Sequence, residues 1–154
     1  MKYETHNEFE HFDFSETHVK DIELGLDYFH IWLDQVKILP ENSCNRDIRV
    51  MRTNNLQLSI HDMKIISFVR EGVKIYNANG VPVGEREDEV VLEKDYMEIL
   101  PLCLEGLCYS IVKEEKDKPI YTFILDALDE STYEVVIEGS SDTEGWDKFF
   151  NLET

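Results

Sequence analysis

Apolar residues along this chain recur at every second position more than at helical spacing. Ile22, Leu24 and Leu26 alternate with Glu23 and Gly25; Phe29, Ile31 and Leu33 alternate with His30 and Trp32. Strand side chains point to opposite faces in turn, so this period marks strands with one buried face. The phase shifts at Asp27-Tyr28, which predicts a tight turn or bulge. Leu56, Leu58 and Ile60 form another alternating set, after the turn-forming pair Asn54-Asn55. Residues 64–70 read as a strand, and Glu71-Gly72 as a hairpin turn into 73–77. Asn79-Gly80 is the clearest hairpin signal, and Pro82 after it argues for an edge position.

The second half continues the pattern. A charged loop spans 84–90, and residues 95–107 mix helical spacing at Tyr96, Ile99, Leu100 and Cys103 with Pro101, which breaks helix interiors. Residues 108–112 and 120–125 predict a hairpin, and 132–138 a further strand. Near the end, Ser141 and Glu144 fit the S-x-x-E helix start, and Trp146, Phe149 and Phe150 fit one helical face. The expectation is mainly β (β-rich α+β), with about eight to ten strands. It takes the form of a single-domain antiparallel sheet, sandwich or half-barrel over 1–154. One to three short helices join it, including a C-terminal one, and 1–14 form a loosely ordered N-terminal arm.

Composition changes this picture little. At 154 residues and 42% apolar content, the chain suits one folded domain rather than disorder. Its longest apolar runs, 65–69 and 121–125, are far short of a membrane span, and residues 1–14 lack the basic start and apolar core of a secretory signal. Cys44, Cys103 and Cys108 are odd in number and form no C-x-x-C, which fits a reducing cytoplasm.

Charge changes it more. The chain carries net −18, distributed as −6 over 1–30, +2 over 31–80 and −14 over 81–154. Such a surface repels phosphate backbones and favours encounter with a basic partner. Three of the five arginines, Arg46, Arg49 and Arg52, nevertheless sit in one island with Cys44. A thiol beside guanidiniums suggests a nucleophile. The cysteine-phosphatase loop, however, places an arginine six residues after the cysteine, and here that residue is Val50. Two structural readings remain: a solvated helical face, or a strand with Ile48 and Val50 buried and the three arginines clamping the acidic ends to the sheet. The second is the expectation.

His6, His11 and His18, with Glu8, Glu10, Asp13 and Glu16 between them, are metal-ligand types at spacings no structural zinc site uses. The expected alternative is Phe9, Phe12 and Phe14 docking on the core. The acids of 126–147 lack the EF-hand pattern. The phosphate-loop, dinucleotide, G-x-S-x-G and H-E-x-x-H motifs are all missing. No metal and no cofactor is expected.

The function expected on these grounds is a small acidic, non-catalytic binding protein. Its concrete form is an immunity-type inhibitor that covers the basic surface of a toxin or nuclease. The expected contacts are Glu85, Glu87, Asp88, Glu89, Glu114, Glu115, Asp117, Asp126, Asp129, Glu130, Asp142, Glu144 and Asp147. Trp146, Phe149 or Tyr133 is a candidate aromatic anchor, against core packing for Trp146. The alternatives are a nucleic-acid mimic with phosphate-like carboxylate spacing, a ligand-binding or enzymatic β-barrel with a deep pocket, and a structural subunit that self-associates. Direct binding to nucleic acid or membrane is not expected.

Overall fold

The computed structural model describes residues 1–152. In chain order the strands are β1 (Tyr3–His6), β2 (Phe12–Asp13), β3 (Thr17–Leu24), β4 (Tyr28–Asp34), β5 (Val36–Ile38), β6 (Met51–Thr53) and β7 (Leu56–His61). There follow β8 (Lys64–Arg70), β9 (Val73–Tyr76), β10 (Pro82–Arg86) and β11 (Glu89–Val90). A helical stretch then holds α1 (Tyr96–Ile99) between the 3-10 turns Glu93–Asp95 and Leu100–Cys103. The last strands are β12 (Leu107–Glu114), β13 (Ile120–Asp126), β14 (Thr132–Glu138) and β15 (Ser141–Trp146). The fold is mainly β and antiparallel, and it uses more and shorter strands than the alternation suggested. No helix among the described residues is long and apolar enough to cross a membrane.

Ten strands form one sheet in the order β1-β15-β7-β4-β3-β12-β13-β14-β8-β11. At its middle, β3 meets β12 only at His18 opposite Leu107 and Thr17 opposite Cys108. The sheet folds over there, and its two halves bury their inner faces against each other. Phe29 of β4 meets Phe123 of β13 edge-on at 5.3 Å. On β13 and β14 every second residue is buried: Tyr121, Phe123 and Leu125, then Tyr133, Val135 and Ile137. Removing such side chains from water contributes about 1.5–3 kcal/mol each. The helical stretch lays Leu100 and Cys103 on this core and stacks Tyr96 on Phe68 at 5.2 Å. Pro101 stands at the start of its 3-10 turn, where its missing N–H costs nothing.

Two smaller sheets complete the chain. Strands β2, β5 and β6 form one, and β9 and β10 form a two-stranded hairpin. The turns follow their chemistry: Asn55 at φ 55° precedes β7, and Gly80 at φ 76° closes the β9–β10 turn.

Four expectations are corrected. Residues 141–146 form strand β15 rather than a C-terminal helix, because β1 and β7 pair with it on both sides. Two ladders outweigh a local S-x-x-E signal, and Asp142, Glu144 and Trp146 point inward at a period of two. Residues 3–6 are strand β1 rather than part of a loose arm, although Phe9, Phe12 and Phe14 are buried as expected. Glu71-Gly72 does not fold β9 back on β8, since β8 pairs with β14 and β11. Finally, Ile48 is 92% exposed, so it lies over no core.

Candidate partner-binding surface

The thirteen carboxylates expected to face a partner do not lie together. Asp142 and Glu144 are fully buried and leave the set. Glu114, Glu115 and Asp117 lie at the β12–β13 turn, where Glu114 pairs with Lys116 at 3.3 Å and Glu115 with Lys113 at 3.3 Å. Asp147 accepts a hydrogen bond from the Lys2 backbone N–H at 3.0 Å. Glu89, Asp126, Asp129 and Glu130 gather where β8 ends beside the β13–β14 turn, Glu87 and Asp88 stand against Gly72 next to it, and Glu85 lies opposite Lys74 in the β9–β10 pair. Arg70 on β8 stands opposite both Tyr133 and Glu89, and its Nε donates to Ser131 Oγ at 3.1 Å.

This end is crowded with negative charge. The Glu71 carboxyl is held above its usual range, first by partial burial and then by repulsion from Glu134, Asp88 and Asp126. Compensation is thin. Arg70 reaches Glu89 at 3.8 Å, and Arg86 donates to the Glu71 carbonyl at 3.4 Å rather than to its carboxylate. Asp129 is held below the usual range, chiefly by the Ser131 backbone N–H it accepts at 3.0 Å. The expected set missed Glu71 and Glu134. The register of β8 and β13 on β14 brings them to Asp126, and Asp88 joins through its hydrogen bond to Gly72.

From this end the β9–β10 hairpin leaves the sheet. Its strands pair only with each other, and Val73, Ile75, Tyr76, Val81 and Val83 are exposed. Gly72 and Asp88 fix its root. A Cβ on Gly72 would lie 2.2 Å from the Arg86 carbonyl, and the Gly72 N–H donates to Asp88 Oδ1 at 2.6 Å. At the tip, Asn77 Oδ1 accepts the N–H groups of Asn79 and Val81 at 2.9 and 3.1 Å. An uninterrupted apolar run such as 81–83 was the sequence signal for an uncovered hairpin.

The two buried acids do different work. Asp142 accepts from Tyr121 Oη at 2.6 Å and from Lys113 Nζ at 2.9 Å. Glu144 Oε1 accepts from Thr5 Oγ1 at 2.8 Å. The remaining oxygens, Asp142 Oδ1 and Glu144 Oε2, are buried without a donor from another side chain, and the two carboxyls interact with each other. That contact requires a proton between them. Against the cost of burial, hydrogen bonding by Glu144, Tyr121 and Lys113 keeps Asp142 ionised and its carboxyl below the usual range. Burial and the Asp142 charge push Glu144 up to about 10, so Glu144 carries the proton. These contacts tie β1, β12, β13 and β15 together.

The remaining candidates separate as well. Trp146 is core, stacked on Tyr3 at 5.7 Å and edge-on to Phe12 at 5.5 Å, and Tyr133 is buried too. Arg49 pairs locally with Asp47 at 3.1 Å, and Arg52 lies over the Phe150 ring at 5.2 Å. Among the described residues Arg52 is the one of the three arginines that reaches toward a terminal segment, so the expected clamp is reduced to Arg52. His11 and His18 turn to separate carboxylates, Glu8 and Glu105. Among the described residues no group of three or more His, Cys, Asp or Glu has metal-binding geometry. No protein-family model matches the chain, and no curated protein or solved structure matches it significantly.

Proposed function

We propose that this chain is a non-catalytic binding protein that neutralises a basic protein partner, as an immunity-type inhibitor does. One observation carries the reading. The Glu71 carboxyl, repelled by those of Glu134, Asp88 and Asp126, stands at the root of a hairpin with uncovered apolar side chains. Like charges held together raise the free energy of the unbound protein, and a cationic surface relieves them. The same field speeds encounter with a positive surface. The hairpin supplies what charge alone does not: Ile75, Tyr76, Val81 and Val83 give apolar area, with Tyr76 the anchor of the type that dominates interfaces. The three free thiols support action in a reducing compartment such as the cytoplasm.

The test is retention of proteins from a native-host lysate at low ionic strength. Three immobilised baits are compared: the parent chain, a Glu71→Gln/Asp88→Asn/Glu134→Gln variant, and a Tyr76→Ser/Val83→Ser variant. The expected result is one basic protein held by the parent, released by moderate salt and lost from both variants. Absence of any basic protein on the parent overturns the proposal, as does equal retention by all three baits.

A further inference from the structure

A second surface feature shares no residue with the acidic end. Tyr3, Met51 and Phe149 wall an open cleft of about 370 Å³ together with the loop Cys44, Asn45, Arg46 and Asp47. The loop is set before any ligand arrives. Asn45 Nδ2 donates to the carbonyls of Ile38, Leu39 and Arg49 at 3.1–3.2 Å, and its Oδ1 accepts the Asp47 N–H at 3.0 Å. Asn42 Oδ1 accepts the Cys44 N–H at 2.9 Å, and Glu8 accepts both the N–H and Oγ of Ser43 at 2.8 and 2.5 Å.

The charge within the cleft is uneven. Asp47 is engaged by Arg49, whose Nη2 and Nε lie 3.1 and 3.2 Å from its two oxygens. Among the described residues Arg46 has no carboxylate at ion-pair distance. Beside it the wall is aromatic: Phe149 meets Tyr3 edge-on at 4.8 Å, and Met51 adds an adaptable apolar side chain.

We infer that this cleft binds a carboxylate carried on a single aromatic ring. The ring lies against Tyr3, Met51 and Phe149, and the carboxylate meets the guanidinium of Arg46. A planar two-oxygen anion matches one guanidinium fork. A phosphate, by contrast, calls for converging N–H groups, and this loop has no glycine to present them. The cleft volume suits a ligand of one ring, at the small end of ligand sites. Such a carboxylate is either a free small molecule or the C-terminal residue of another chain.

Cys44 supplies a readout that needs no activity. Its thiol lines the cleft, whereas Cys103 and Cys108 are fully buried, with thiols pushed up to about 12 by that burial. Alkylation by iodoacetamide at neutral pH therefore reports Cys44. Phenylacetate is expected to slow that alkylation saturably, by about fivefold or more, whereas neutral phenylacetamide leaves it unchanged. Arg46→Gln, at an exposed position, is expected to weaken phenylacetate binding by about tenfold in calorimetry without altering the melting temperature. Tighter binding of the dipeptide Gly-Phe than of phenylacetate identifies a chain terminus as the source, and the reverse order a free acid. Equal protection by the amide, unchanged binding by Arg46→Gln, or no saturation with any of these carboxylates overturns the inference.

Discussion

Asp142 and Glu144, two residues apart on β15, share one proton inside the fold, with Asp142 ionised and Glu144 neutral. In the unfolded chain Glu144 releases that proton above its ordinary value of 4.5; in the folded chain it keeps it to about 10. A raised folded value gives stability that is complete below pH 4.5 and lost as pH rises toward 10. Across that window this one group lowers stability steadily as pH rises. Glu144→Gln removes the slope, because an amide donates to Asp142 at every pH. Thermal melts should show the parent chain more stable than Glu144→Gln at pH 4.5 and less stable at pH 8.5.

Asp142 carries the opposite sign. Its lowered carboxyl adds stability above the ordinary 3.8, and that stability fades as pH falls through the depressed value. Asp142→Asn leaves Lys113, whose side chain is almost buried, without its inner partner. Breaking a buried pair from one side costs about 3 kcal/mol. Urea unfolding at pH 7 should read that loss, and Asp142→Asn/Lys113→Met should recover part of it.

Gly72 is the hinge point of the acidic end. A Cβ there meets the Arg86 carbonyl and the backbone of Glu87 and Asp88. Gly72→Ala should therefore spread the hairpin root, at about 1–3 kcal/mol of local strain. Hydrogen exchange should show faster exchange over 73–86, with β13 and β14 unchanged. Uniform acceleration across the chain would mean that the hairpin is tied to the core.

The arginine island should prove dispensable for stability. The Arg49 side chain pairs with its neighbour Asp47 in an exposed pair, so Arg49→Gln should leave the melting temperature unchanged at low and high salt. Arg52→Gln should lower it slightly, because Arg52 covers Phe150 and bridges to it through the backbone.

The strands with one buried face were legible in the sequence. Phe29-Ile31-Leu33, Leu56-Leu58-Ile60 and the 120–138 hairpin alternate plainly, and burial follows the alternation. β15 was not legible, because its inward positions hold Asp142 and Glu144, whose charge argues for the surface until a shared proton and a lysine are found beside them. The acidic end was half legible. Asp88, Glu89, Asp126, Asp129 and Glu130 announce themselves by number. Glu71 and Glu134 join them only through the antiparallel register of β8 and β14. The expected strand with Ile48 and Val50 buried misled, since the loop is held by Asn42 and Asn45 side chains, which carry no periodicity.

The pairing of β1 with β15 has a consequence in time. Tyr3 lies opposite Trp146, so β1 has no strand partner until β15, far along the chain, has been made. Folding is then closed by a long-range event, and fold completion is slow relative to the local hairpins. Until then the Thr5 hydroxyl and the Glu144 carboxyl have not met, and the proton they help to hold marks the finished molecule.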